Sequence, residues 1–203
     1  MPQLFKLHKA LFMKTLPYYF FKARALVLLP AFLLLISCNK NTQTVNVDNR
    51  YTLEVPADFK QVNDLNKEAS LQYQNTLKEL YVIVIDEPKT AFTAAINDNG
   101  LSDTYSNTLE GYSKLITDGM DSSIAVKKMP DFIDKTIHEL KARELSFEGL
   151  SSGNQVYWKL AFIEGNNRYY QIMVWTLADN HNKHEKKMQA IVDSFTETDK
   201  SKN

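Results

Sequence analysis

The segment Leu80-Tyr81-Val82-Ile83-Val84-Ile85 is apolar throughout, so as a strand it is apolar on both faces. A strand of that kind must be covered on both sides. Tyr169 to Leu177 has the same character, with Tyr170, Ile172 and Val174 on one face and Tyr169, Met173 and Trp175 on the other. One sheet with two layers of cover is therefore required, and the sequence offers two amphipathic helices to supply them. The first is expected over residues 103–118, where Tyr105, Leu109, Tyr112 and Ile116 recur at the helical period. Ser102 reads as its N-cap, Asp103 suits its first turn, Gly111 is its weak point and Gly119 its stop. The second is expected over residues 182–195, with His184, Met188, Ile191, Val192 and Phe195 on one stripe and Lys183, Glu185, Lys186, Lys187 and Asp193 elsewhere.

Alternation marks further strands. Tyr51, Leu53 and Val55 form one that Pro56 ends, with Phe59 folding back as a plug. Others are expected around Ala69 to Tyr73, Ile124 to Val126, Arg143 to Phe147 and Val156 to Phe162. Glu164-Gly165-Asn166-Asn167 reads as a hairpin turn. Asp86-Glu87-Pro88 is expected to stop the first two-sided strand, residues 89–100 to hold one helical turn, and residues 131–140 show no clear pattern. The fold class that follows is α+β, an α/β/α sandwich in which a largely antiparallel sheet is covered by helices on both faces.

Residues 25–37 form a short apolar run behind Lys22 and Arg24 and in front of Cys38, the single cysteine. A bilayer-spanning helix needs about 20 apolar residues, whereas a basic flank, a short apolar core and a small residue before a cut describe a secretory signal. Leu35-Ile36-Ser37-Cys38 resembles the lipobox of bacterial lipoproteins, in the loose Leu-x-Ser-Cys form similar to that of Bacteroidota. That resemblance implies cleavage before Cys38, acylation of its sulfur and attachment to a lipid bilayer through the acyl chains, and two or more chains hold firmly. The expected organisation is a signal peptide at 1–37 (translation starting at Met1 or Met13), lipidated Cys38 and a polar linker to residue 49, a domain at 50–196 and a polar tail at 197–203. Fully extended, an eleven-residue linker such as Asn39 to Asn49 spans at most about 36–40 Å.

Removing 37 of the 203 residues leaves 166, which suits one domain. All 24 acidic residues but only 19 of the 24 basic ones lie downstream, a net of −5. That balance argues against nucleic acid as a partner. Asn39 is not the aspartate that resembles an inner-membrane retention signal, and no acidic run follows Cys38 as in surface-exported lipoproteins. The cell envelope, on the periplasmic face of the outer membrane, is the expected location.

The opening Tyr51-Thr52-Leu53-Glu54-Val55-Pro56-Ala57-Asp58-Phe59, the strand Tyr81 to Ile85, the hairpin from Trp158 to Trp175 and the closing Asp193-Ser194-Phe195 together resemble the PsbP/Mog-type fold. The resemblance spans roughly residues 51–195 and rests on core patterns. It implies a non-enzymatic module that binds a protein or helps an envelope assembly, with no cofactor and no catalytic residue to carry over.

Several patterns hint at chemistry. Gly149-Leu150-Ser151-Ser152-Gly153 matches the hydrolase nucleophile elbow, but that motif needs a helix after it, and a strand pattern follows. A serine hydrolase using Ser151 is one alternative function. His181 and His184 with Glu185 are spaced like metal ligands on a helix, yet only two imidazoles are in view and Lys183, Lys186 and Lys187 oppose a cation. A small-ligand or metal-binding lipoprotein is the other alternative. Asp98-Asn99-Gly100 with Asp103 lacks the spacing of a calcium loop. Asp86 and Glu87 are adjacent and point to opposite faces of a strand, so they form no carboxylate pair. Tyr169, Met173 and Trp175 are expected to be core beneath a helix rather than an open ligand-stacking stripe.

Overall fold

A computed structural model describes residues 41–121, 124–126 and 129–199. The signal segment, its start codon and Cys38 lie outside the described residues. Among the described residues ten strands and three α-helices follow in order: β1 (Thr42–Val47), β2 (Tyr51–Pro56), β3 (Lys60–Gln61), β4 (Leu71–Asn75), β5 (Leu80–Pro88), α1 (Lys89–Asp98), α2 (Leu109–Asp121), β6 (Ile133–Ile137), β7 (Leu140–Ser151), β8 (Asn154–Glu164), β9 (Arg168–Leu177), α3 (His181–Asp193) and β10 (Thr196–Glu197). β3-β4-β5-β9-β8-β7-β6 form a seven-stranded sheet in which every pairing is antiparallel. β1-β2-β10 form a second, three-stranded sheet.

The two-sided strands β5, β8 and β9 lie in the middle of the large sheet, and two separate cores result. On one face Met188, Ile191, Val192 and Phe195, at the inner side and C-terminal end of α3, pack with Tyr51, Leu53 and Val55 of β2 against Val82, Val84, Ile172 and Val174. On the other face Phe92 and Ile96 of α1 and Leu109 and Tyr112 of α2 pack against Leu145, Leu160, Phe162 and Tyr169. The α/β/α arrangement expected from the sequence holds. Its α3 layer is shared with the second sheet, which the side-chain pattern did not disclose.

The second sheet exists because residues 42–47, expected as part of a linker, form a strand. They are β1, paired with β2 from Thr42 opposite Pro56 to Val47 opposite Tyr51. Asp48 and Asn49, at φ 48° and 57°, are the central residues of the turn in the three-residue connection between them, closed by the Arg50 amide donating to the Val47 carbonyl at 2.8 Å, a left-handed conformation that Asp and Asn tolerate. The tail is corrected likewise. Thr196 and Glu197 form β10 beside β2, and the Glu197 carboxylate accepts hydrogen bonds from the Asn166 amide (3.0 and 3.1 Å) and the Tyr170 hydroxyl (3.1 Å).

The helix expected over 103–118 begins later, at Leu109, and continues through Gly119 to Asp121. Thr108 rather than Ser102 serves its first turn, its Oγ1 accepting from the Gly111 amide at 3.3 Å. The preceding loop folds back so tightly that a Cβ on Gly111 would lie 1.8 Å from the Ser106 carbonyl oxygen. Gly111 is thus the point of closest approach. Residues 89–98 form a full helix instead of one turn, β5 runs on through Pro88 instead of stopping at Asp86, and residues 133–137 are the edge strand β6. The 124–126 segment contributes a single bridge, Ala125 to Leu150.

Candidate interaction surface

The registers align one row of side chains across the α1/α2 face of the large sheet. Phe147 on β7 stands opposite Trp158 on β8, Trp158 opposite Trp175 on β9, and Trp175 opposite Tyr81 on β5. The row continues to Gln74 on β4 and Lys60 on β3. Phe147 and Trp158 stack at 5.4 Å between centroids, and Tyr81 and Trp175 at 5.3 Å with only 11° between their planes.

Cover along this row is uneven. α2 lies over β7 and β8, and α1 against β5. Phe147 and Trp158 are accordingly buried, whereas Tyr81 and Trp175 are half-buried, as are Met173 and Leu177, which flank Trp175 on the same face. Beyond them the 62–69 loop is pinned by Gln72, whose Oε1 accepts from the Leu65 and Asn66 amides (2.9 and 3.0 Å) and whose Nε2 donates to the Asn66 carbonyl (2.8 Å). Next to Gln74 a cavity of about 300 Å³ opens, lined in part by Lys60, Val62 and Thr76. The result is a shallow floor of four large apolar side chains with a polar margin at one end. Such a floor suits docking of an apolar surface more than enclosure of a small molecule.

The stripe read from β9 therefore divides. Tyr169 is core, stacked on Tyr112 at 4.7 Å and edge-on to Phe92 at 5.6 Å. Burial pushes its phenol up to about 12. Met173 and Trp175 pack against the same core but are only half-buried, so the expectation that they are core holds for them in part. Tyr81 and Leu177 complete the floor without having been singled out from sequence.

The remaining candidates fall elsewhere. Ser151 ends β7 and is followed by Ser152 and Gly153 at φ 49° and 82°, a tight turn straight into β8. No helix presents its hydroxyl, as a nucleophile elbow requires. His181 lies flat on Tyr157, with 3.6 Å between centroids, and its Nε2 is 3.9 Å from Glu185. His184 is buried under α3 with Nε2 3.2 Å from the Lys78 carbonyl. The two imidazoles thus have different partners, and among the described residues no three His, Cys, Asp or Glu side chains converge on a metal position. Asn99 and Gly100 close the C-terminus of α1 as a turn. Asp86 and Glu87 face opposite sides of β5, paired with Tyr170 and Tyr169 respectively.

Burial holds the His184 imidazole below its ordinary value, and the neighbouring Lys183, Lys187 and Lys78 charges push the same way. The folded state therefore binds fewer protons than the unfolded chain as pH drops below about 6.5. Stability contributed by neutral His184 is present above that value and lost on acidification. A His184→Gln variant is expected to flatten the fall in Tm between pH 7 and pH 5. Parallel Tm profiles for the two proteins would remove His184 from the acid response.

No protein-family model matches this sequence, and no curated protein does. Solved structures do. The chain is similar to CyanoP, the PsbP protein of the cyanobacterium Synechocystis, at 11% identity and a TM-score of 0.53, over 81% of this chain and 99% of that one. It is also similar, at 8% identity and a TM-score of 0.48, to a Bacteroides thetaiotaomicron protein, spanning 79% of this chain and half of that one. The Ran-binding protein Mog1p of Saccharomyces cerevisiae is 12% identical with a TM-score of 0.44, over 78% and 96% of the two chains. At these identities it is the likeness to CyanoP that carries weight, and it concerns the fold alone: the domain has the PsbP/Mog-like architecture expected from Tyr51-to-Phe59 and the closing helix.

Proposed function

We propose that this chain is a lipid-anchored protein of the bacterial cell envelope, on the periplasmic face of the outer membrane, whose folded module docks a protein partner and catalyses no reaction. The anchoring half is supported by the sequence, through the short apolar leader ending in Leu35-Ile36-Ser37-Cys38. The docking half is carried by one observation: the half-covered floor of Tyr81, Met173, Trp175 and Leu177 on an otherwise well-covered sheet. The serine-hydrolase and metal readings have less support, since Ser151 enters a hairpin and His181 and His184 do not converge.

Aromatic residues carry a large share of binding energy at protein interfaces, typically about 2 kcal/mol or more at a hot spot. A photo-crosslinking residue placed at Leu177 is expected to give a discrete adduct in intact envelopes. The same residue at Ala91, exposed on α1, is expected to give none. Adding Trp175→Ala should weaken capture about thirtyfold. An adduct pattern indifferent to Trp175, or equal from both positions, removes the floor as the docking site.

A further inference from the structure

We propose that the end of the fold at which the chain enters, around Asn41, lies against an anionic lipid surface and is held there by exposed leucines and lysines. This rests on the membrane-attachment reading and adds an orientation to it. The first observation is the length of the tether. The Asn41 carbonyl accepts a hydrogen bond from the Ala57 amide at 2.9 Å, and β1 starts at Thr42. Only two residues, Asn39 and Lys40, separate Cys38 from Asn41, and the three Cα–Cα steps span at most about 11 Å. A linker of eleven residues would let the domain turn freely; this one fixes which end faces the lipid.

What stands at that end fits a lipid surface. Asp58, next to Ala57, accepts from Asn75 Nδ2 at 2.8 Å and pairs with Lys78, both at the β4–β5 turn. The tip of that turn, Leu77, is 97% exposed. At the same end of the sheet β7 runs out through Leu150, 43% exposed and paired with Gln155 near the start of β8. Two of the three large apolar side chains left open among the described residues are therefore at the tether end; the third, Ile133, is on β6.

Charge is arranged to match. α3 begins at this end, since His184 reaches the Lys78 carbonyl and Asn180 Nδ2 donates to Glu79 at 3.1 Å. Its first two turns carry Lys183, Lys186 and Lys187, and Lys60 lies on β3 nearby. No ion pair engages these four lysines among the described residues, whereas Asp58 is taken by Lys78 and Glu185 faces His181. Glu79, Glu148 and Asp179 also stand at this end, so it is the cluster of exposed lysines on the first turns of α3, together with the open leucines, that is complementary to an anionic bilayer surface.

The test places an environment-sensitive fluorescent amino acid at position 77, and in a second chain at position 166, in the β8–β9 turn at the opposite end of the sheet. The mature protein is mixed with phosphatidylcholine–phosphatidylglycerol vesicles at three to one. Emission from position 77 is expected to shift to the blue and be quenched by bromolipids, and emission from position 166 to do neither. Lys183→Glu with Lys187→Glu should lower the docked-to-undocked ratio about thirtyfold, roughly fivefold per lysine. Equal responses at 77 and 166, or a response indifferent to both lysines, overturns the proposal. The intact mass of the mature chain reads the anchor separately. A bare Cys38 sinks the attachment reading, while the comparison of 77 with 166 still decides the docking end.

Discussion

Replacing Asp86 with alanine is expected to lower the unfolding free energy by about 3 kcal/mol, the lower part of the range for breaking a buried ion pair. The Asp86 side chain is 2% exposed and sits between two guanidinium groups, with Arg50 Nη1 at 3.0 Å and Arg168 Nε at 2.6 Å. Neither contact forms a hydrogen bond to Asp86 Oδ2, so the attraction at that oxygen is Coulombic. Without the carboxylate two like charges face each other in a poorly hydrated place. Both arginines keep some water contact, at 28% and 21% side-chain exposure, which argues against the upper end of the range. The Arg50 contact with Asp48, which is 82% exposed, offers little replacement. Asp86→Asn preserves the volume and removes the charge, so an equal loss in urea unfolding assigns the effect to charge. A loss below about 1 kcal/mol in both variants would mean that the cluster is dispensable. The consequence reaches beyond stability. Arg50 precedes β2 and Arg168 belongs to β9, so Asp86 fastens the small sheet, with β1 at its edge, to the large one.

The features legible in the sequence were those set by side-chain period. β5, β8 and β9 showed themselves as two-sided runs, and α3 as a stripe ending at Phe195, because burial on both sides leaves no polar alternation to misread. β1 was hidden because it is an edge strand with only Val45 and Val47 turned inward, which makes it look like linker. Its hairpin signal, Asp48-Asn49 between two alternating segments, was present and outweighed by polarity. α1 hid for a similar reason, with Phe92 and Ile96 as its only buried residues. The start of α2 was displaced because Tyr105 keeps the helical period while lying on a folded-back loop, tied to the helix by a 3.0 Å hydrogen bond from its hydroxyl to Asp118. The half-covered floor was half legible. Trp175 and Met173 announced themselves on β9, but whether they are covered depends on which strands α1 and α2 overlie, and that is decided by tertiary packing. The proposal that Cys38 is acylated rests on the lipobox pattern Leu35-Ile36-Ser37-Cys38.

Tyr112→Ala is expected to cost about 3–5 kcal/mol, the usual range for removing a large aromatic from a core. Tyr112 is 1% exposed and is the one ring through which α2 meets α1 and the sheet together. It stacks on Tyr169 of β9 at 4.7 Å and stands edge-on to Phe92 of α1 at 5.3 Å and to Phe162 of β8 at 6.1 Å. Such pairs add to the burial of the ring itself, so truncation removes several contacts at once and leaves a space that rigid strands on one side cannot fill. Burial holds the phenol well above its ordinary value, so the ring stays neutral and the loss should not vary with pH below 9. Tyr112→Phe keeps the ring and should lose no more than about 1.5 kcal/mol. Because α1 and α2 share this one cluster while α3 belongs to the opposite core, the alanine variant should lose amide-exchange protection in α1 and α2 together and keep it in α3. Protection falling equally in all three helices would show that the two cores open as one unit, and the floor beside α2 could not then be loosened without unfolding the face that carries α3 and β2.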